Sequence, residues 1–192
     1  MLKLTLDTSC FSLKKVENSL LDQLLDLQED SKILLFYAPP TLLELMMSIA
    51  KKKDLPKDAE LEVKRKFRDV FRDYFENMEE IDPQLEWKDK FHEIAIFITR
   101  LCLKITDKRT IEKLESSGEN LCKYLNSRKN QNNHKDIDIL AFHVMNEGNV
   151  FVTKDSPLFL RNKKTKETLE SEFDTKIRPL NSDFIKEIES FT

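Results

Sequence analysis

Residues Ile33–Tyr37 (ILLFY) form a run of five apolar and aromatic side chains with no charge and no turn former. A run this short and this apolar fits a strand covered on both faces, as in a parallel sheet, because a strand with one wet face would alternate. Upstream lies a partly alternating strand, LKLTL at Leu2–Leu6, closed by Asp7, Thr8 and Ser9. Between the two, residues 14–27 place Val16, Leu20, Leu21, Leu24 and Leu27 on one helical stripe, and Asp30 and Ser31 break it. Strand, helix and strand over this length make a right-handed βαβ unit, since parallel returns cross over with that hand in nearly every sheet. The chain is thereby directed to an α/β domain.

The second organising stretch, residues 134–155 (HKDIDILAFHVMNEGNVFVTKD), reads as a helix, a one-glycine turn and a strand. Ile137, Leu140, Ala141, Val144 and Met145 recur at spacings of three and four and form one apolar face. Asp136 and Asp138 stand at the helix start, and Gly148, one of only two glycines, is the expected helix stop. Residues 149–153 (NVFVT) have strand composition. Asp155 follows, before Ser156 and Pro157 open a polar helix over 158–173. Residues 176–179 (KIRP) read as a last edge strand, and Ser182 as the cap of a final helix carrying Phe184, Ile185 and Ile188. The expected fold is a three-layer α/β domain with a mostly parallel sheet of four or five strands.

Residues 51–56 (KKKDLP) read as a linker, and residues 54–127 as a helical insertion within a single domain of residues 1–192. Val63, Phe67, Val70, Phe71, Tyr74, Phe75 and Met78 make an apolar stripe on its first helix, which Asp82 and Pro83 end. Lys64, Arg65, Lys66, Arg68 and Arg72 lie opposite, mixed with acids, as a solvated face or a phosphate-contacting one. Residues 91–103 read as a buried helix, 108–125 as a helix interrupted near Ser116, Ser117 and Gly118, and 128–133 as a polar loop. His92 and His134 read as structural or exposed residues.

Four acids stand where an α/β sheet places its sites. Asp7 closes the first strand, either as a turn former and cap or as a strand-end acid. Glu44 lies one turn into an apolar helix over 42–51 that Pro39 and Pro40 introduce and Thr41 caps. It serves the helix dipole from outside, or it turns back over the sheet edge towards Asp7. With Asp136 and Asp155 these acids can all reach one carboxyl edge. Carboxylates gathered without cations repel and raise one another's pKa. A hard divalent cation relieves this, and oxygen-only ligands suit Mg²⁺ or Mn²⁺, which would activate water and steady an in-line phosphoryl displacement. No Cys/His set offers a zinc site, and no glycine-rich phosphate loop is present. Two residues on a helix differ by about 200° around its axis. Asp136 and Asp138 therefore both face one metal only if Asp136 precedes the first turn. Asp136 is the expected ligand and Asp138 a water-mediated or alternative partner, while the other reading makes one of them a cap or first-turn acid.

The order LTLDTS, PPTLLEL, KDIDILA, VFVTKD resembles the PIN domain of metal-dependent ribonucleases. That family includes VapC-like toxins of toxin–antitoxin pairs, rRNA-processing nucleases and archaeal PIN proteins called RNA ligase partners. The resemblance covers roughly residues 1–50 and 130–180. It implies Asp7, Glu44, Asp136 and Asp155 as catalytic ligands of Mg²⁺ or Mn²⁺, with Thr8 or Ser9 and Thr153 as supporting hydroxyls. It also implies endonucleolytic hydrolysis of RNA, and a second copy, an antitoxin or an RNA-processing protein as partners. Residues 51–130 are longer than the compact toxins carry. The alternative is a non-catalytic PIN-like module that binds RNA or a protein.

The net charge is -3, from 35 acids and 32 bases, so no global field attracts a polyanion. Its cations must be gathered locally. Arg161, Lys163, Lys164 and Lys166, close after Asp155, are the expected phosphate contacts, ahead of Lys64, Arg65, Arg68 and Arg72 on the long helix. Cys10, Cys102 and Cys122 form no CxxC pair and are odd in number, as expected of reduced thiols. With no secretory signal and no apolar run of bilayer length, a cytoplasmic protein with no membrane contact is expected.

Overall fold

The computed structural model describes the chain except residues 15–17, 53–59, 85–86, 128–129, 155–156 and 191–192, and the side chains of residues 52, 131 and 132. Its centre is a parallel sheet of β1 (Leu2–Leu6), β2 (Ile33–Tyr37), β3 (Glu79–Glu80), β4 (Val150–Thr153) and β5 (Lys176–Pro179), in the order β3-β2-β1-β4-β5. β1 pairs with β2 from Leu2↔Ile33 to Leu6↔Tyr37 and with β4 at Leu6↔Val152. β1 is therefore the strand from which the order departs in both directions, and its carboxyl end is the topological switch point.

Side chains alternate across the sheet and feed two cores. Leu4, Leu6, Ile33, Leu35, Val150 and Val152 face one layer. It is built from α1 (Ser19–Glu29), α3 (Glu60–Asn77), α10 (Ser182–Ser190) and Leu45 and Ile49 of α2 (Pro39–Lys52). Phe36, Phe151 and Ile177 face the other. That layer holds α4 (Lys88–Leu103), α5 (Lys108–Glu115), α6 (Gly118–Leu125), α7 (Gln131–Met145), α8 (Pro157–Leu160) and α9 (Lys163–Glu172). The fold is thus the expected three-layer α/β arrangement. Among the described residues, no helix is long and apolar enough to cross a membrane. Cys10, Cys102 and Cys122 are all free.

Several elements differ locally from the expectation. Residues 54–127 are largely helical but also supply β3, which pairs with Phe36 and Tyr37. The aromatic stripe of α3 packs inward: Phe75 stacks on Phe11 at 5.2 Å and meets Tyr37 edge-on at 4.5 Å. α1 starts at Ser19 rather than at residue 14, and Val16 lies outside the described residues. α2 starts at Pro39, because proline is tolerated in a first turn whose N–H groups lack partners anyway. Thr41 is accordingly inside the helix, buried, and not its cap. The stretch 158–173 divides into α8 and α9, and Asn162 caps the second piece by accepting from the Thr165 N–H at 3.1 Å. The last helix is capped by Asn181, whose Oδ1 accepts from the Phe184 N–H at 2.9 Å, and not by Ser182.

Gly148 acts differently from a usual helix-stop glycine. α7 closes in a Schellman pattern, with the Gly148 N–H on the His143 carbonyl at 3.1 Å and the Glu147 N–H on Val144 at 3.1 Å. The left-handed position is filled by Glu147, at φ 53°. Gly148 is needed for space: a Cβ there would lie 2.3 Å from the His143 ring. That ring is fully buried and crosses Phe151 at 5.6 Å. Its Nε2 lies 2.6 Å from the Thr175 hydroxyl, which in turn donates to the Asn149 carbonyl at 3.0 Å. This order makes Nε2 the protonated nitrogen. Gly148→Ala should therefore cost about 1–3 kcal/mol, the usual penalty of forcing bulk into a packed site. Urea unfolding should show a lowered midpoint with an unchanged slope; a midpoint equal to that of the native sequence would show that the ring yields freely.

Candidate functional site

Asp7, Glu44 and Asp136 line one pocket of about 320 Å³ at the carboxyl edge of the sheet. Each arrives by a different route. Asp7 is the residue after β1 and heads a short 3-10 turn, Thr8–Cys10. Its backbone N–H extends the ladder to the Val152 carbonyl at 2.9 Å. Glu44 lies one and a half turns into α2, which starts directly beyond β2. Asp136 lies on α7, the helix that leads into β4.

Asp7 is only 3% exposed. Its Oδ2 accepts from the Ser9 hydroxyl at 2.6 Å and from the Thr153 hydroxyl at 2.8 Å, and the two hydroxyl oxygens are 3.0 Å apart. The Lys154 N–H donates to Ser9 Oγ at 2.9 Å, so this small network ties the end of β1 to the end of β4. Burial pushes the Asp7 carboxyl above its ordinary value of 3.8, and the nearby Glu44 charge pushes the same way. The hydrogen bonds from Ser9, Thr153 and the Thr8 backbone oppose the rise without cancelling it.

Glu44 is held by Lys135, with Nζ to Oε1 at 3.3 Å. Asp136 faces the same pocket from the next residue of α7, and its charge together with burial lifts the Cys102 thiol to about 12. Asp138 is placed elsewhere. α7 begins at Gln131, so both aspartates sit inside regular helix and point about 200° apart. Asp138 pairs with His134 at 3.1 Å on the far side of α7 and lines a different cavity with His92 and Cys122. His134 lies within α7, and its Asp138 partner raises its pKa. Asp155 lies outside the described residues.

Among the described residues, no group of three acids, histidines or cysteines is gathered tightly enough to form a metal site. The donor set nevertheless fits a hard divalent cation. Carboxylates from three elements share the pocket with the hydroxyls of Thr8, Ser9, Ser12 and Ser48, without thiol or imidazole. Thr8 Oγ1 is buried at this wall with no hydrogen-bond partner among the described residues. Lys135, Ser12 and Ser48 went unnoticed in the sequence. Ser48 had a signal, one turn after Glu44; Lys135 had none, since its pairing joins distant segments.

The expected phosphate contacts separate. Lys163 pairs with Glu167 at 3.7 Å and Lys166 with Glu170 at 3.9 Å, whereas Lys164 opens onto a groove shared with α4. Arg161 is exposed between α8 and α9. On α3, Lys64, Arg65, Lys66 and Arg72 pair with acids of the same helix, as on a solvated face. Comparisons with protein-family models, with curated proteins and with solved structures found no match.

A carboxyl whose folded pKa exceeds its unfolded one keeps a proton that the unfolded chain releases first. The Asp7 contribution is therefore full below about 3.8 and declines as pH climbs through the raised folded value. His143, lowered by burial from 6.5 to about 3, acts in the opposite sense, since only the unfolded chain protonates it readily in that interval. Comparing Asp7→Asn with the native sequence cancels the histidine. In chelator, the variant should gain stability relative to the native protein between about pH 4 and pH 7. A 1 kcal/mol gain corresponds to about 2–4 °C in a chain of this size. A melting-temperature difference that stays flat over that interval would contradict the raised Asp7 pKa.

Proposed function

We propose that this protein is a metal-dependent endoribonuclease of PIN type that hydrolyses RNA phosphodiester bonds. The observation that carries the reading is the shared pocket of Asp7, Glu44 and Asp136 at the switch point. Open parallel sheets hold their ligands at such a point, and carboxylates brought there from three elements make an oxygen-only donor set. Mg²⁺ or Mn²⁺ is the cofactor that this set suits, and it supplies charge neutralisation and activation of water when bound. Asp7, Glu44 and Asp136 would hold it, with Asp155 as the fourth acid that the resemblance implies.

The chain's own groups carry the remaining work. Ser9 and Thr153 fix the Asp7 carboxylate through Oδ2. Lys135 keeps Glu44 in place by charge. No histidine lines the pocket, so proton transfer rests on the carboxylates and solvent.

A second reading is favoured by one observation. Lys135 already neutralises Glu44, as suits a non-catalytic PIN-like module that binds RNA or a protein. Metal-dependent thermal stabilisation that disappears in Asp7→Asn separates the two, because the module needs no metal.

Total RNA incubated with Mn²⁺ should be cut at discrete positions by the native protein. Asp7→Asn and Asp136→Asn should each lower the cleavage rate by about a hundredfold or more, the scale on which loss of an electrostatic group acts in catalysis. Sequencing of the new ends checks this. Identical end profiles from the native protein and both variants would remove the acid pocket from the reaction.

A further inference from the structure

The groove between the last turn of α4 and the first turn of α9 has a charge pattern that the acid pocket does not explain. It encloses about 530 Å³, and Arg100, Lys104 and Lys164 line it with no carboxylate among the described lining residues. In a chain with more acids than bases, three cations around one concavity repel one another unless an anion sits between them. Arg100 shares its charge with Glu115 at 3.4 Å. Among the described residues Lys104 and Lys164 have no ion-pair partner, unlike Lys163 and Lys166 on the same helix as Lys164.

Two further features point the groove at a phosphate. α9 begins here, capped by Asn162, and its positive end offsets the negative end of α4, which finishes at Leu103. The hydroxyl-bearing Thr106 also lines the wall. The position is suited to a strand that runs through the acid pocket. α9 ends at Glu172, shortly before β5 opens at Lys176, which pairs with Val150 at the amino edge of the sheet. Ten helical residues rise about 15 Å, so the start of α9 lies towards the carboxyl edge. On α4, Arg100 and Cys102 are two residues apart and point about 200° apart, so the groove and Asp136, whose field reaches Cys102, flank the end of α4, and a strand running between them would cross that end.

We propose that Arg100, Lys104 and Lys164 bind a phosphodiester group of a single-stranded RNA whose scissile bond lies in the acid pocket beside Asp136. This rests on the ribonuclease reading of that pocket. It narrows the phosphate contacts from the whole 161–166 stretch to one of its lysines and adds two cations from α4.

The test uses the full-length protein and a labelled single-stranded RNA, with binding followed by anisotropy and cutting by gel in Mn²⁺. The double variant Lys104→Gln/Lys164→Gln changes only solvent-facing groups, and an unchanged melting temperature confirms its fold. It should bind RNA about tenfold more weakly, and its log K against log [salt] slope should be shallower by about 0.7, the contribution of the one phosphate charge no longer neutralised. If the native protein cuts RNA and the double variant binds and cuts it equally well, the groove is not a subsite and the ribonuclease reading stands. If the native protein binds RNA through the groove but never cuts it, the ribonuclease reading fails and the groove assignment survives. Loss of affinity in Lys64→Gln/Arg65→Gln/Arg68→Gln/Arg72→Gln, with none in the groove variant, would move the RNA platform to α3. Inorganic phosphate that binds as tightly as RNA would make the groove a free-phosphate site and overturn the proposal.

Discussion

The carboxylate of Asp7 is buried where two strands end and the chain crosses over in opposite directions, and the carboxyl edge is arranged around it. Burying a charge is costly unless hydrogen bonds compensate. Here two hydroxyls, from Ser9 in the turn after β1 and Thr153 at the end of β4, do so together with the Thr8 backbone N–H. The compensation is incomplete, since the carboxyl remains shifted upward by its burial. An apolar side chain at this position would avoid that cost. An imperfectly solvated acid at the switch point, with two more acids facing the same pocket, supports the proposed site over a structural bridge.

Much of this was legible because the governing signals are local. ILLFY and LKLTL declare buried strands by composition, and the amphipathic segment between them declares the crossover. Asp7, Glu44 and Asp136 could be placed on one edge because strand ends and helix starts in parallel sheets share that edge. What escaped was set by tertiary structure. β3 is two exposed glutamates, and only their pairing with Phe36 and Tyr37 makes them a strand. The start of α7 was read too late because the polar residues before His134 resemble a loop, yet Asn130 heads a continuous helix. That shift decides the fate of Asp138. Inside regular helix it turns to His134, whereas with Asp136 ahead of the first turn both aspartates could have faced one metal. The Lys135–Glu44 pair and the α4–α9 groove each join segments remote in sequence, and nothing in either segment announces the other.

The two signs of charge are sorted over the surface. On α3 each of Lys64, Arg65, Lys66 and Arg72 has an acid within a turn, so this cationic face is largely neutralised from within. The acid pocket and the Arg100–Lys104–Lys164 groove are each dominated by one sign. A net charge of -3 conceals this arrangement, because composition sums what the fold has separated.

The contact between Gly148 and His143 acts on more than its surroundings. α7 is pinned at its lower end, where the imidazole is wedged between Gly148, Phe151 and the Thr175 hydroxyl. Asp136 lies seven residues up the same rod from His143, a rise of about 10 Å. One residue of slip at the foot would spin the rod by about 100°, carrying Asp136 out of its pocket and Lys135 away from Glu44. The missing side chain of a glycine at the amino edge thus works as an indexing notch that keeps Asp136 turned to the acids at the opposite edge.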